Sequence, residues 1–286
     1  FTAVKNKFKI MPTDCISYQT SGYFSKLMQD YLDQKSELKT LYNHFPTLEN
    51  FEKQIAEKVS NFDNHNRIPL VNTLKKQYQN IEISDSTKQN IELLALENTF
   101  TITTGHQLNL FSGPLYFLYK IISTINLTKE LKSKYPSYNF VPVYWMATED
   151  HDFEEINYFN FKGKKFRWNK ESNGPVGRLS TKGLAEFLDI YSLELGSSTN
   201  ANTLKKLFED TYLKHDNLAD ATRFLANSLF ANYGLVIIDA DDADLKRAFI
   251  PYAKEELEKQ TSYKAVQETI EQLKEYTVQV NPREIN

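Results

Sequence analysis

The segment that most constrains this chain is Phe100-Thr-Ile-Thr-Thr104, a short β-branched run that enters Gly105 and is followed by Gly113-Pro114 and a long amphipathic stretch. β-Branched side chains pack well on a pleated surface, so the run reads as a strand. Proline lacks only an N–H that the first helical position leaves unpaired anyway, so Pro114 is expected to open a helix. Leu115, Leu118, Ile121, Ile122 and Ile125 fall on one stripe of that helix, which is expected to face a sheet. Val143-Tyr-Trp-Met-Ala147 reads as a second strand, with Pro142 at its first position, where a missing donor is tolerated. Strand, helix and strand within about 45 residues is the spacing of a parallel βαβ unit. A further helix carrying Leu218, Phe224, Leu225, Ser228 and Leu229 ends near Gly234, and Leu235-Val-Ile-Ile238 then reads as a buried third strand closing on Asp239. The alternation predicts an α/β fold, a parallel sheet with helices on both faces.

Residues 1–98 read as a helical N-terminal region packed on that core, after an extended start at Phe8–Ile10. Leu38, Leu41, Tyr42 and Phe45 have the spacing of one buried helical face, as do Phe51, Ile55 and Val59, and Pro46 and Pro69 punctuate them. Residues 99–286 read as the core, with an insertion at about 157–182. Within it, Tyr158–Trp168 alternates as a β-hairpin around Lys162-Gly163-Lys164, and a Gly-, Ser- and Asn-rich loop, Asn169–Lys182, leads away. Gly196–Asn202 is expected to be another exposed loop. The core is expected to be incomplete, with more protein following Asn286.

With 286 residues and 41% hydrophobic side chains, the chain can bury a sizeable core. The 19 Phe and 17 Tyr are expected to pack the interior or line a cleft. A net charge of -3 gives no global attraction to nucleic acid or anionic lipid. The lone Cys15 allows neither an internal disulfide nor a multi-thiolate metal site and reads as a passive small residue. No apolar run approaches the roughly 18 residues a bilayer requires, and charges break up residues 1–9 where a secretion signal would be apolar, so a cytoplasmic protein is expected.

Two segments carry candidate chemistry. In the first, Thr104-Gly-His-Gln107 leads to Gly113-Pro-Leu-Tyr116, with Lys120 one turn further on the same face. A strand that turns through glycine into a helix N-terminus presents unpaired N–H groups and partial positive charge, which suit a phosphate or a carboxylate. Helical side chains lean toward the N-terminus, so Lys120 is expected to supplement that anion site, with His106 and Gln107 at its mouth. The same pattern also fits a tight structural turn with a surface lysine.

The second segment is Glu149-Asp-His-Asp-Phe-Glu-Glu155, five acidic side chains and a histidine within seven residues. Such a cluster repels itself, and a fold tolerates it more readily where it binds cations or positions protons. The ammonium of an amino acid or amino sugar is one suitable guest, and a divalent metal such as Mg2+ carrying a nucleotide's phosphates is another. A solvated loop that caps the next helix is the plain alternative. Both segments fall at the carboxyl ends of strands, where open α/β sheets bind ligands. A third acidic run, Asp239-Ala-Asp-Asp-Ala-Asp244, lacks the glycine and closing glutamate of a calcium loop. Asp241 or Asp242 is expected to cap the helix starting near Ala243, leaving Asp239 alone to face the site. The basic, aromatic stretch with Lys162, Lys164, Lys165, Arg167 and Trp168 reads as a solvated hairpin with one buried face, with a nucleic-acid surface as the alternative. His44, His65 and His215 need no function, and no metal ligand is assigned.

The strings Thr104-Gly-His-Gln-Leu-Asn-Leu-Phe-Ser-Gly-Pro-Leu-Tyr116 with Lys120, Trp145-Met-Ala-Thr-Glu-Asp-His-Asp-Phe-Glu-Glu155, and Tyr233-Gly-Leu-Val-Ile-Ile-Asp239 resemble the cysteine ligase family of bacillithiol biosynthesis. The similarity spans essentially the whole chain but only the family's N-terminal part. It implies a Rossmann-like core similar to that of class I aminoacyl-tRNA synthetases and nucleotidylyltransferases. It also implies the addition of L-cysteine to glucosaminyl-malate, small-molecule substrates, and a homodimer formed through a C-terminal coiled coil that this sequence lacks. His106 stands where many members have a second Gln, which speaks against an indispensable proton carrier there.

Joining a free carboxylate to an amine in water requires activation, for which a fold of this kind ordinarily uses ATP. On that reading Glu149, Asp150 and Asp152 orient the amine and His151 is its base. Thr104, Gly105, His106, Gln107, Gly113, Pro114, Tyr116, Lys120, Trp145, Glu155 and Asp239 bind substrate and nucleotide. Two rivals stay open: another adenylate-forming or nucleotidyl-transferring enzyme with a different acceptor, and a non-catalytic scaffold.

Overall fold

The β-branched and aromatic runs form β1 (Thr99–His106), β2 (Asn139–Met146), β3 (Tyr158–Phe161), β4 (Lys164–Arg167) and β5 (Val236–Asp239). A computed structural model describes residues 14–276, 278 and 280–284, so the expected extended start at Phe8–Ile10 lies outside the described residues. β1, β2 and β5 make a parallel sheet in that order, with Thr104 beside Tyr144 and Trp145 beside both Gly105 and Ile238. β3 and β4 pair antiparallel as the expected hairpin. Its tight turn places Lys162 and Gly163 at φ +48° and +76°, the left-handed geometry that matches strand twist in a two-residue hairpin.

The helices, in chain order, are α1 (Tyr18–Ser21), α2 (Lys26–Leu32), α3 (Phe51–Asn61), α4 (Arg67–Gln77), α5 (Asp85–Leu93) and α6 (Leu115–Lys134). After β2 come α7 (Phe153–Ile156), α8 (Leu184–Leu195), α9 (Thr199–Tyr212), α10 (Leu218–Phe230), α11 (Ala243–Lys259) and α12 (Thr261–Gln272). By contacts the chain forms two compact units, Phe1–Gln54 with Lys254–Asn286, and Ile55–Ala253. In the first unit Tyr276 donates its hydroxyl to Asp30 at 2.8 Å and Thr40 bonds Gln272 at 2.8 Å. The second unit holds both sheets. Among the described residues no helix is long and apolar enough to cross a membrane.

Successive residues of β2 point to opposite faces, yet Val141, Val143, Tyr144 and Met146 are all buried, so helices cover both faces of the sheet. α6 lies over the Tyr144 face, its Phe117 ring 5.4 Å from that of Tyr144, while α5 also contacts β2. Much of the aromatic content packs around Phe111, whose ring lies within 5.5 Å of Phe159, Phe187, Tyr191, Phe208 and Tyr212.

Several local expectations shift. Pro114 is the N-cap of α6 rather than its first residue, with an extended ψ of 152°. The stripe that α6 buries is Phe117, Ile121, Thr124, Ile125, Thr128 and Leu131, while Leu115 and Ile122 are exposed. The face that meets Tyr144 decides this, not the apolar count. Pro142 sits inside β2 instead of opening it; β5 pairs only from Val143 onward, so at Pro142 the strand has a partner on one side. In the N-terminal region Leu38 is buried on a 3-10 turn, Ser36–Leu41, and the helical face expected through Phe45 does not form. Val59 is exposed although its neighbour on the stripe, Ile55, is buried. Residues from Thr199 belong to α9, capped by Ser198, whose hydroxyl accepts from the Ala201 N–H, so the expected loop is shorter.

β5 has no strand on its outer edge among the described residues, and side chains replace one. The Ile237 N–H donates to the Tyr78 hydroxyl at 2.7 Å, and Arg223 donates to the Ile237 carbonyl at 2.9 Å. Gln77 accepts from the Asp239 N–H at 3.0 Å, donates to the Asp239 carbonyl at 2.8 Å, and also accepts from Arg223 at 3.1 Å. Burial pushes the Tyr78 phenol up to about 12, keeping it neutral and able to accept. An open edge would otherwise leave buried donors and acceptors unpaired. Gln77→Ala is therefore expected to lower unfolding free energy by about 1–3 kcal/mol, read from the urea midpoint at unchanged m-value.

Candidate functional site

The carboxyl ends of β1, β2 and β5 form one rim. β1 runs on into Gln107, whose carboxamide donates to Asp150 at 2.9 Å and to Glu155 at 2.7 Å. The two stretches singled out from the sequence therefore meet in one side chain. Asp150 is held in turn by the Asp152 N–H at 3.0 Å. The bond from Gln107, followed by that from the Asp152 amide, holds the Asp150 carboxyl below the usual carboxylate range. At the end of β5, Asp239 accepts from Thr148 at 2.5 Å and from the Asp241 N–H at 2.9 Å.

The loop 169–182, expected to lead away from the hairpin, instead returns to this rim. The Val176 N–H donates to the Asp150 carbonyl at 2.7 Å and the Gly177 N–H to the Thr148 carbonyl at 2.9 Å. A Cβ at Gly177 would lie 2.6 Å from the Thr148 Cβ, so glycine is what lets the two loops touch. Arg178 then grips Asp241 through Nε at 2.6 Å and Nη2 at 2.8 Å. Lys246 bridges Asp241 at 2.5 Å and Glu149 at 2.8 Å. The Arg178 bonds, with those of Lys246, hold Asp241 well ionised, and Asp241 and Glu149 raise the Lys246 ammonium above its ordinary value. Asp239 thus does not face the site alone, and Asp242 is the residue that caps α11, accepting from the Asp244 N–H at 2.8 Å.

The glycine-proline turn is built differently from its expected form. Gly105 is an ordinary strand residue, and the left-handed geometry falls on Phe111, Ser112 and Gly113, with φ of 55°, 69° and 59°. The Phe111 N–H donates to the Tyr212 hydroxyl at 2.8 Å, and the aromatic cluster around its ring offsets the cost of that backbone. A Cβ on Gly113 would lie 2.4 Å from that of Asn109. The Lys120 ammonium bonds the Gly105 carbonyl and sits 5.3 Å over the Tyr116 ring, so it is drawn to the end of β1 rather than toward Gly113. With Thr104, Tyr116 and Tyr119 it lines an open groove beside β1.

His106 points its Nδ1 at the Gln107 carbonyl, 3.0 Å away; burial, with Lys120 adding, lowers its pKa, so the ring is a neutral donor. Trp145 is 45% exposed at the rim, on the face opposite Tyr144. His151, Asp152 and Glu155 are exposed, while Pro114 and Tyr116 lie at the start of α6. Among the described residues no group of three or more His, Cys, Asp or Glu side chains is arranged to hold a metal ion. Sequence reading missed Thr148, Gly177, Arg178 and Lys246. The only local signal was a Pro-Val-Gly-Arg run inside an otherwise polar loop.

A parallel sheet covered on both faces, with polar loops gathered at its carboxyl rim, defines a Rossmann-like α/β ligand-binding domain. Residues 11–286 match the family model described as "Bacillithiol biosynthesis BshC, N-terminal Rossmann-like domain", and the chain belongs to that family. It is 99% identical over 276 residues to the "Putative cysteine ligase BshC" of Flavobacterium johnsoniae, covering 96% of this chain and 52% of that protein. Its identity to the protein of the same name from Flavobacterium psychrophilum is 69% over 277 residues, again 96% and 52% of the two chains. The Bacillus cereus counterpart is 29% identical over 251 residues, 85% of this chain and 45% of that one. The chain thus spans about half the length of the curated relatives it matches.

The Gln107 bridge predicts a pH-dependent stability. A carboxyl held below its ordinary value contributes stability above about pH 4 that is lost as pH falls through the lowered value. Gln107→Ala is expected to be less stable than wild type at pH 7 by about 1 kcal/mol, with the gap closing as denaturation curves are taken toward pH 3.

Proposed function

We propose that this chain is the catalytic part of an ATP-dependent ligase that adds L-cysteine to glucosaminyl-malate, giving the low-molecular-weight thiol bacillithiol. The observation that carries the reading is the Gln107 carboxamide held between Asp150 and Glu155, which joins the end of β1 to the acidic string at one rim. Family membership supports the pathway, and the relatives' name of cysteine ligase supports the ligation of cysteine.

In this mechanism the cysteine carboxylate attacks ATP, either at the α-phosphorus, where the bond to pyrophosphate breaks and a cysteinyl adenylate forms, or at the γ-phosphorus, where ADP leaves and a cysteinyl phosphate forms. The start of α6 suits the nucleotide phosphates, because its N-cap, Pro114, supplies no side-chain cap for the first-turn amides. Lys120, at the end of β1, adds charge, and Mg2+ arriving with the nucleotide would supplement it. Thr104, Gly105, His106, Tyr116 and Trp145 border the nucleotide. Glu149, Asp150 and Asp152 orient the amine of glucosaminyl-malate. That nitrogen attacks the activated carbonyl, the C–O bond to the phosphoryl group breaks, and His151 takes the proton the amine loses. The whole enzyme acts in the cytoplasm as a homodimer, assembled through a coiled coil outside this chain.

Asp150→Asn in the full-length protein is expected to keep the fold and abolish turnover. Cells carrying only that variant should lack bacillithiol and accumulate glucosaminyl-malate, by thiol profiling. Bacillithiol at wild-type levels would remove the assignment.

A further inference from the structure

Where β2 and β5 end, a cavity of about 320 Å³ opens between the returning loop and the start of α10, at the small end of ligand-site sizes. Its walls include Thr148, Arg178, Asn217, Asp220, Asp239 and Asp241. We infer that this cavity is an α-amino-acid subsite that takes the zwitterion, with Arg178 receiving the carboxylate and Asp239 the ammonium. Resting on the ligase reading, the amino acid is L-cysteine.

Charge decides the class of ligand. A lone anion would meet three carboxylates, and a lone cation would meet a guanidinium; a small molecule carrying both signs matches both. Arg178 is positioned but not used up, because its pair with Asp241 engages two of the five guanidinium N–H donors. Asp239 is equally fixed. Thr148 and the Asp241 N–H both bond its Oδ1, while its backbone is clamped by Gln77, so its second carboxylate oxygen takes no part in these bonds. α10 begins in the same wall, with Asn217 as its N-cap and Ala219 in the lining, and the positive end of that helix favours a carboxylate beside Arg178. These residues come from four separate stretches of chain, which the Arg178–Asp241 ion pair helps to hold together.

The test is calorimetric titration of the purified full-length protein with L-cysteine, with 3-mercaptopropionate, which lacks the ammonium, and with cysteamine, which lacks the carboxylate. L-cysteine is expected to bind at least about tenfold more tightly than either, the scale of one charge-assisted hydrogen bond. Asp239→Asn should weaken L-cysteine binding and leave 3-mercaptopropionate unchanged. Arg178→Gln should weaken L-cysteine and leave cysteamine unchanged. Equal affinity of wild type for all three ligands, or variants that keep the wild-type preferences, would overturn the subsite. A wild type that shows these preferences with another small α-amino acid, yet forms no cysteine amide on glucosaminyl-malate, keeps the subsite and removes the ligase reading. Amide formation with preferences indifferent to both variants does the reverse.

Discussion

The rim of this sheet depends on one carboxamide. Gln107 leaves β1 and spends both amide hydrogens on carboxylates of the next loop, Asp150 and Glu155. An uncharged side chain with two donors bonds both carboxylates without changing the charge of the cluster; a carboxylate there would add repulsion, and a lysine would offset part of the negative charge. With Asp150 placed, its carbonyl receives the returning loop through Val176, and Arg178 on that loop reaches Asp241. Lys246 closes the chain of contacts onto Glu149. The acidic string is thereby distributed among partners instead of collapsing or splaying into solvent.

The other end of the same logic is the outer edge of β5. Tyr78, Gln77 and Arg223 satisfy Ile237 and Asp239 where a neighbouring strand would otherwise pair. This edge cap and the site share a residue. Gln77 binds the backbone of Asp239, whose carboxylate faces the cavity, so the packing of α4 against the sheet and the geometry of the rim are mechanically connected.

Much of the scaffold was legible because its signals are local. The β-branched runs, the Lys162-Gly163 turn and the Asp242 cap each depend on a few adjacent residues, and each formed. What failed depended on distant partners. Pro142 lies inside a central strand because β5 pairs with β2 only from Val143 onward, which nothing near Pro142 reports. The buried stripe of α6 follows Tyr144 on another element, and its threonines would not be chosen by hydropathy. The two acidic and glycine-rich stretches were visible as candidates, and their meeting at strand ends follows from parallel topology. Arg178 was not visible, since its partner Asp241 lies 63 residues away on a different loop. Lys120 shows the opposite case: helical spacing placed it near the turn, and the strand-end carbonyl of Gly105 then claimed its ammonium.

A double-mutant cycle between Gln107→Ala and Asp150→Asn, scored by unfolding free energy of the full-length protein at pH 7, tests the joining of the two loops most directly. A coupling clearly above the roughly 0.5 kcal/mol typical of independent sites is expected, because either change alone removes the same contact. Additive losses would contradict it, leaving the two stretches as neighbours without a shared interaction.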